Sequence, residues 1–218
     1  MVSVVSRPQA DLPSVADILP RVAQDPFKRA FDIVVASMML VFFGPLLLLV
    51  ALLIRLTSPG PVLFRQARGG LSGRVFTIYK FRSMRCEENG ADVVQAARDD
   101  DRITPMGHFI RKTSIDELPQ LLNVLKGDMS LVGPRPHAQA HDVQYGALVA
   151  GYALRFQARP GLTGLAQIKG LRGGTSEIQA MAERVEADVA YIEGWSFWRD
   201  VKIMLLTIPH LLLAENAY

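Results

Sequence analysis

Two neighbouring carboxylates, Asp116 and Glu117, stand between a basic pair, Arg111-Lys112, and a helix-like run from Leu118 to Leu125. A rigid turn, Gly133-Pro134-Arg135-Pro136, closes the segment. Carboxylates flanked by fixed cations suit phosphoryl chemistry. One carboxylate can attack phosphorus or hold a metal, while the cations neutralise the phosphate charge that would repel it. Arg111 and Arg135 carry the planar fork that grips a phosphate bidentately. Because the two acids are adjacent, residue type and spacing do not say which one attacks.

A purely structural role competes for the same residues. Ser114-Ile115-Asp116-Glu117 matches a capping box, with Ser at the N-cap and Glu at N3. Pro119 opposes it, because a helix capped at Ser114 would place the proline where its missing N–H breaks an intrahelical bond. A helix starting at Asp116 or Glu117 puts Pro119 in the first turn, where that N–H has no partner anyway. Asp116 then lies at the positive end of a helix, with Arg111 five residues upstream. Both would keep it ionised, as a nucleophile must be.

Weaker candidates surround this segment. Lys80 and Arg82 emerge with Ser83 at the end of a strand-like stretch, where an exposed basic strand end is the competing reading. Arg159-Pro-Gly-Leu-Thr-Gly-Leu-Ala-Gln167 is a Pro/Gly-punctuated loop suited to close backbone approach to a ligand. Arg98-Asp-Asp-Asp-Arg102 has the look of a metal cluster, but such a run is more often a solvated charged turn. The lone cysteine, Cys86, excludes an internal disulfide and argues against a thiolate metal cluster.

The elements that must position these groups follow from composition. Half of the 218 residues are hydrophobic, yet 21% are charged and the mean hydropathy is +0.19, which suggests a membrane segment joined to a polar globule. The net charge of +3 fits an anionic partner such as phosphate groups, nucleotide or lipid headgroups. A nucleic-acid binder would need a longer basic stripe with interleaved aromatics, which the chain lacks. Ile33 to Ile54 is 22 residues without a charge. At about 1.5 Å per residue the run reaches roughly 33 Å, enough to cross a core of about 30 Å as a plain transmembrane helix. Gly44-Pro45 interrupts it near the middle, however, and basic residues flank both ends: Lys28 and Arg29 before, Arg55, Arg65 and Arg68 after. Positive charge marks the cytoplasmic side, so a helix hairpin that enters and leaves one face satisfies both flanks.

Pro61–Gln66 and Arg74–Phe81 alternate like the strands of a hairpin across a Gly-rich loop. Met106–Lys112, His137–Tyr145, Ala147–Phe156 and Ser176–Ile192 read as helices. Residues 1–26, with four prolines, read as a mobile tail holding at most a short helix near Val15–Val22. No signal-peptide pattern is present. Trp195–Ala214 is amphipathic and then apolar; it is expected either to lie in the membrane interface, with Trp195, Phe197 and Trp198 at headgroup level, or to pack as a core helix.

Taken together these residues resemble the monotopic phosphoglycosyl transferases, the bacterial sugar transferase family. The matching pieces are Lys28-Arg29-x-x-Asp32, Gly60-Pro-Val-Leu-Phe-x-Gln66, Tyr79-Lys-Phe-Arg-Ser-Met84, Asp101-Arg-Ile-Thr104 and Gly107. The densest match runs from Arg111-Lys-Thr-Ser-x-Asp-Glu-Leu-Pro-Gln120 through Lys126 to Pro136. Pro160–Gln167, Tyr191-Ile-x-x-Trp-Ser196, Asp200 and Lys202 complete it, so about residues 27 to 208 are covered.

The resemblance implies an α/β fold, mainly helical with a small β-hairpin, anchored to the cytoplasmic face of the bacterial inner membrane. The expected organisation is a tail (1–26), a re-entrant membrane hairpin broken at Gly44-Pro45 (27–56), a cytosolic catalytic domain (57–208) and an interfacial segment (209–218). Where the family usually breaks its hairpin at Ser-Pro, this chain has Gly44-Pro45. The resemblance also implies transfer of a sugar-1-phosphate from a UDP-sugar to undecaprenyl phosphate, with release of UMP, through a covalent phosphosugar on Asp116. Mg²⁺ is the implied cofactor, held by Glu117 and Asp116. Arg111, Arg135, Lys80, Arg82, Pro136 and Gln167 are the expected phosphate or substrate contacts. Inner-membrane lipids are the implied surroundings, and the oligomeric state is open, a homodimer included. The rival is an inactive membrane scaffold of a glycan assembly complex. A CDP-alcohol phosphotransferase is excluded, because its multi-Asp motif and several membrane spans are missing.

Overall fold

A computed structural model of the chain describes residues 19–85, 100–171 and 178–213. Cys86, Arg98 and Asp99 lie outside these residues, as does most of the stretch read as a tail. The end of that stretch is a helical turn, α1 (Arg21–Gln24), with Val22 and Ala23 buried. Arg159 Nη1 donates to the Ala23 carbonyl at 2.9 Å, which ties this turn to the globule.

The apolar run lies within one helix, α2 (Pro26–Thr57). Its start follows from local chemistry: the Asp25 carboxylate accepts from Lys28 N at 2.8 Å, and Pro26 takes the first position, where a missing N–H costs nothing. Gly44-Pro45, read as a break, falls inside this helix, with helical backbone on both sides. Pro45 removes one donor there, and a Cβ on Gly44 would meet nothing within 4 Å, so no neighbour demands a glycine at that point.

Both ends of α2 dock on the same globule. Near the start, Lys28 Nζ pairs with Asp200 Oδ2 at 2.6 Å and reaches the Val132 carbonyl at 3.2 Å. Asp32 accepts from Ser130 Oγ (2.7 Å) and Leu131 N (3.2 Å). Near the other end, Val50 and Ile54 bury against Phe81 and Ile110. Between them the outward face is apolar and exposed, including Met38, Val41, Phe42 and Leu48.

The expected hairpin is present as β1 (Leu63–Gly69) and β2 (Val75–Phe81), antiparallel, with Leu63 opposite Phe81 and Gly69 opposite Val75. Helix α3 (Pro105–Lys112) is capped by Thr104 Oγ1, which accepts from Gly107 N. A 3₁₀ turn (Ile115–Gln120) and α4 (Leu121–Lys126) follow. A second sheet, not expected from the sequence, pairs β3 (Ser130–Val132) in parallel with β4 (Gly161–Thr163). Its strands are three residues each, too short to show a period of two. Helix α5 (Gln139–Leu148), a 3₁₀ turn (Tyr152–Gln157), the short α6 (Leu165–Ile168), α7 (Ile178–Glu193) and α8 (Phe197–Leu213) complete the order. The main core joins Ala36 of α2, Ile78, Leu121, Val124, Met129, Val132, Tyr191 and Ile203.

The first turns of helix α8 follow the second of the two expected arrangements, the packed one. Trp195, just before it, donates Nε1–H to the buried Asp200 at 3.0 Å, and Phe197 packs edge-on against Phe27 and Phe31. Only Trp198 of the three aromatics is exposed. Tyr191 also reaches Asp200, at 2.8 Å. Lys28, Tyr191 and Trp195, separate motif pieces, thus converge on the buried Asp200 and join α2 to α8, while Asp32 ties α2 to β3. Removing one member leaves a buried charge alone, so Lys28→Met should lower stability by roughly 3–5 kcal/mol. The pair Lys28→Met/Asp200→Leu should restore much of that loss. Thermal unfolding of the detergent-solubilised protein measures both. Equal melting temperatures for wild type and Lys28→Met would remove the clamp from the account.

Candidate active site

The carboxylate pair does not begin an α-helix. Ser114 adopts φ 56, ψ 17 in the left-handed region and makes no side-chain cap. An N-cap residue needs extended backbone, so the capping box cannot form. The chain instead winds a 3₁₀ turn through Asp116 and Glu117, with Pro119 inside it, before α4 starts at Leu121. Three residues per turn separate adjacent side chains widely, and the two acids take different surroundings.

Glu117 is buried among cations. Arg135 grips it with both ends of its fork, Nη2 to Oε1 at 2.6 Å and Nη1 to Oε2 at 3.2 Å. Lys80 Nζ donates to Oε1 at 2.9 Å. The Glu117 carboxylate in turn holds the Arg135 guanidinium above its ordinary pKa. Asp116 is half-buried and makes no hydrogen bond or ion pair with any described residue. Burial first, then the adjacent Glu117 charge, push its carboxyl up to about 6, against the downward pull of Lys80, Arg111 and Arg135. Burial and the Glu117 charge together therefore outweigh the pull of the cations, yet a carboxyl titrating near 6 is still mostly ionised at neutral pH, as expected.

The other expected site residues separate into two groups. Lys80 and Arg135 join the dyad directly, and Arg111 acts on Asp116 through its charge while its Nη1 lies 3.6 Å from Met84 Sδ. Arg82 is not brought to the dyad. It is buried at the far end of α2, donating Nη2–H to the Ser58 carbonyl (2.8 Å) and Oγ (2.6 Å). A cation suits that place, the negative end of a long helix. Gln167 donates to the Leu162 carbonyl at 3.1 Å, and Pro136 accepts from Arg68 Nη1 at 3.3 Å. Gly44 and Pro45 lie in α2, remote in sequence from this cluster.

Behind Arg135 stands a buried network that sequence reasoning misses. Arg155 donates Nη2–H to the Arg135 carbonyl at 2.6 Å, pairs with Asp188 through Nε at 2.8 Å, and sets Nη1 at 2.9 Å from His137 Nδ1. Tyr152 Oη lies 2.8 Å from the same nitrogen and donates to Asp142 at 2.7 Å. Burial, followed by the charges of Arg155, Arg184, Arg135 and Arg68, holds His137 well below its ordinary pKa, so it stays neutral. Arg155 and Asp188 are 33 positions apart, and no spacing rule would pair them.

For a metal, the described residues hold no group of three or more His, Cys, Asp or Glu side chains. Mg²⁺ does not need one, because it binds through one or two carboxylates plus substrate phosphates and water. The unpartnered Asp116 carboxylate beside Glu117 fits that donor set.

The chain belongs to the bacterial sugar transferase family, which it matches over residues 23–214. It is 62% identical over 200 residues to a UDP-glucose:undecaprenyl-phosphate glucose-1-phosphate transferase of Caulobacter vibrioides, covering 92% of this chain and 75% of that protein. A protein of the same name from Escherichia coli is 52% identical over 191 residues, covering 88% of this chain and 41% of that protein. An exopolysaccharide production protein, PSS, of Rhizobium leguminosarum is 48% identical over 187 residues, covering 83% and 92%.

Proposed function

We propose that this chain transfers glucose-1-phosphate from UDP-glucose to undecaprenyl phosphate, releasing UMP, as the first membrane step of exopolysaccharide or related glycoconjugate synthesis. The observation that carries the reading is the carboxylate pair itself: one acid is gripped by two cations, and its neighbour is partly exposed, with no hydrogen bond or ion pair to a described residue. The sugar is taken from the names of the Caulobacter and Escherichia relatives.

In this reading Asp116 is the nucleophile. An Asp116 oxygen attacks the glucose-bearing phosphorus, the bridging P–O bond to UMP breaks, and UMP leaves with the electron pair. An oxygen of undecaprenyl phosphate then attacks the same phosphorus, and the Asp116 carboxylate departs. No proton need move in either step. Arg111 stands ready to offset phosphate charge, and Lys80 and Arg135 do so from around Glu117. Asp116 and Glu117 would hold Mg²⁺ together with substrate phosphate, and the ion would supply charge neutralisation at phosphorus and on the departing UMP. Pro136, next to Arg135, and Gln167 would add to the substrate-binding wall.

The membrane arrangement is part of the same proposal. Helix α2 would enter and leave one leaflet, placing the protein on the cytoplasmic face of the inner membrane. The support is mechanical: Lys28 and Asp32 at one end, and Val50 and Ile54 at the other, pack on one globule. A helix crossing about 30 Å of hydrocarbon would put its ends on opposite sides. Single cysteines at Gln24 and Pro59, in a Cys86→Ser background, should be shielded from impermeant thiol reagents in intact cells. Labelling of either from outside would sink the re-entrant arrangement.

The activity is tested with purified protein, undecaprenyl phosphate, Mg²⁺ and a panel of UDP-sugars. UMP release should be fastest with UDP-glucose. Release from another UDP-sugar alone would replace the sugar and keep the class, whereas no release from any would favour the scaffold.

A further inference from the structure

We propose that Asn123 is a positioning residue of this reaction: its side-chain amide takes the place of a third strand along the free edge of β2 and so holds Lys80 against Glu117. The inference rests on the transferase reading above.

Asn123 is completely buried, on α4. Its Oδ1 accepts from Tyr79 N at 3.1 Å, and its Nδ2 donates to the Thr77 carbonyl at 2.7 Å. Residues two apart on a strand present their backbone groups to the same edge. One edge of β2 pairs with β1, and no strand pairs with the other among the described residues. The amide therefore supplies the acceptor and the donor that a neighbouring strand would have supplied there. Its orientation is determined by its partners. The second Nδ2 hydrogen faces Asp128 Oδ2 at 3.2 Å, and a flipped amide would set oxygen against two oxygens and N–H against N–H.

Two links lead from Asn123 to the dyad. Tyr79 immediately precedes Lys80, whose Nζ reaches Glu117 at 2.9 Å. On the other side, the Asn123 carbonyl accepts from Gly127, Asp128 and Met129 N at 3.1, 3.1 and 3.2 Å. That turn, with Gly127 at φ 90, leads into β3 and on to Arg135, the second cation on Glu117. One residue thus holds the strand through its side-chain amide, and the turn through its backbone carbonyl and the Asp128 contact, and the chain runs from these two segments to the cations on Glu117. A displacement of about 1 Å in such a constellation can cost on the order of 10²-fold in rate. The side-chain hydrogen bonds of Asn123 go to Tyr79, Thr77 and Asp128, and none goes to Asp116 or Glu117.

The test is a double-mutant cycle on the single-turnover rate of UMP release from UDP-glucose. It uses the full chain in detergent, with Asn123→Ala made in wild-type and Lys80→Met backgrounds. If Asn123 acts through Lys80, its loss should lower the rate about 10- to 100-fold in the wild-type background and no more than about 3-fold in Lys80→Met. The KM for UDP-glucose should shift far less than the rate. Equal fold-losses in both backgrounds would mean general damage and overturn the proposal. Should Asn123→Ala fail to yield a cooperatively unfolding protein, Asn123→Asp runs through the same cycle with the same two outcomes. It can accept from Tyr79 N but cannot donate to Thr77. A wild type that releases no UMP from any UDP-sugar overturns the transferase reading itself, and with it this role. An active wild type with equal losses overturns only the positioning role.

Discussion

Asp116→Asn should abolish covalent adduct formation and lower UMP release by at least about 10³-fold, the scale expected when a nucleophile acting as part of a unit is removed. The amide is nearly isosteric, so the 3₁₀ turn and the Glu117 contacts should survive. What disappears is the charge and the nucleophilic oxygen. The wild type, incubated with UDP-glucose and Mg²⁺ but no undecaprenyl phosphate, should gain one glucose-phosphate mass, and peptide mapping should place it on Asp116. Kinetics should be ping-pong, with UMP leaving before the lipid binds. The contrast with Glu117→Gln is diagnostic. Glu117 is enclosed by Lys80 and Arg135, so its loss should disturb cation placement and metal affinity, and added Mg²⁺ should recover part of the activity. An adduct on Glu117, or a rate law requiring both substrates before UMP appears, would end the Asp116 mechanism.

Arg135→Lys should lower turnover by about 10²-fold while leaving membrane association unchanged. The charge is kept, but a single ammonium cannot hold both Glu117 oxygens as the guanidinium does at 2.6 and 3.2 Å. Lys80 already occupies Oε1, so the substituted lysine would compete with it and leave Oε2 bare. Arg135 is also held from behind by Arg155 on its carbonyl, which means its backbone should stay in place and the loss should be local. Arg111→Lys should reduce turnover for the simpler reason that it loses the fork beside Asp116. Steady-state kinetics on each variant, with flotation on liposomes as the membrane control, measures this. Unchanged kinetics for Arg135→Lys would remove the fork from catalysis.

Much of the chemistry is legible in the amino-acid sequence alone. Adjacent acids among cations suggest phosphoryl transfer without a fold, because the charge that repels a carboxylate from phosphate must be offset by something nearby. Lys80 and Arg135 are candidates on that ground, and they converge on Glu117 from positions 55 residues apart in the chain. The hairpin is legible as well, since two short strand-like stretches flank a Gly-rich loop.

Where residues take places other than those expected, each has its own cause. Arg82 pairs with Lys80 on paper because they are two positions apart, as on one strand face. The strand ends at Phe81, and Arg82 turns to the helix terminus at Ser58. Lys28 reads as a topology signal, yet it is buried on Asp200, because the two partners lie 172 positions apart and only folding reveals the pair. The α-helix expected to start at Asp116 or Glu117 is instead a 3₁₀ turn entered from Ser114 in the left-handed region, and the α-helix starts only at Leu121.

The candidate reacting groups, the apolar run and the β-hairpin could be read from the sequence, because each depends on residues close together in the chain; the continuity of helix α2 through Gly44-Pro45 could not. Only the tertiary structure shows how the two acids divide, with Glu117 clamped by Lys80 and Arg135 and Asp116 making no hydrogen bond or ion pair with a described residue. It alone decided that Arg155 backs Arg135 and that Asn123 stands in for a strand. Those features arise from hydrogen bonds between distant segments. Such bonds need only one donor or acceptor from each segment, and a single residue leaves no periodicity or spacing to read.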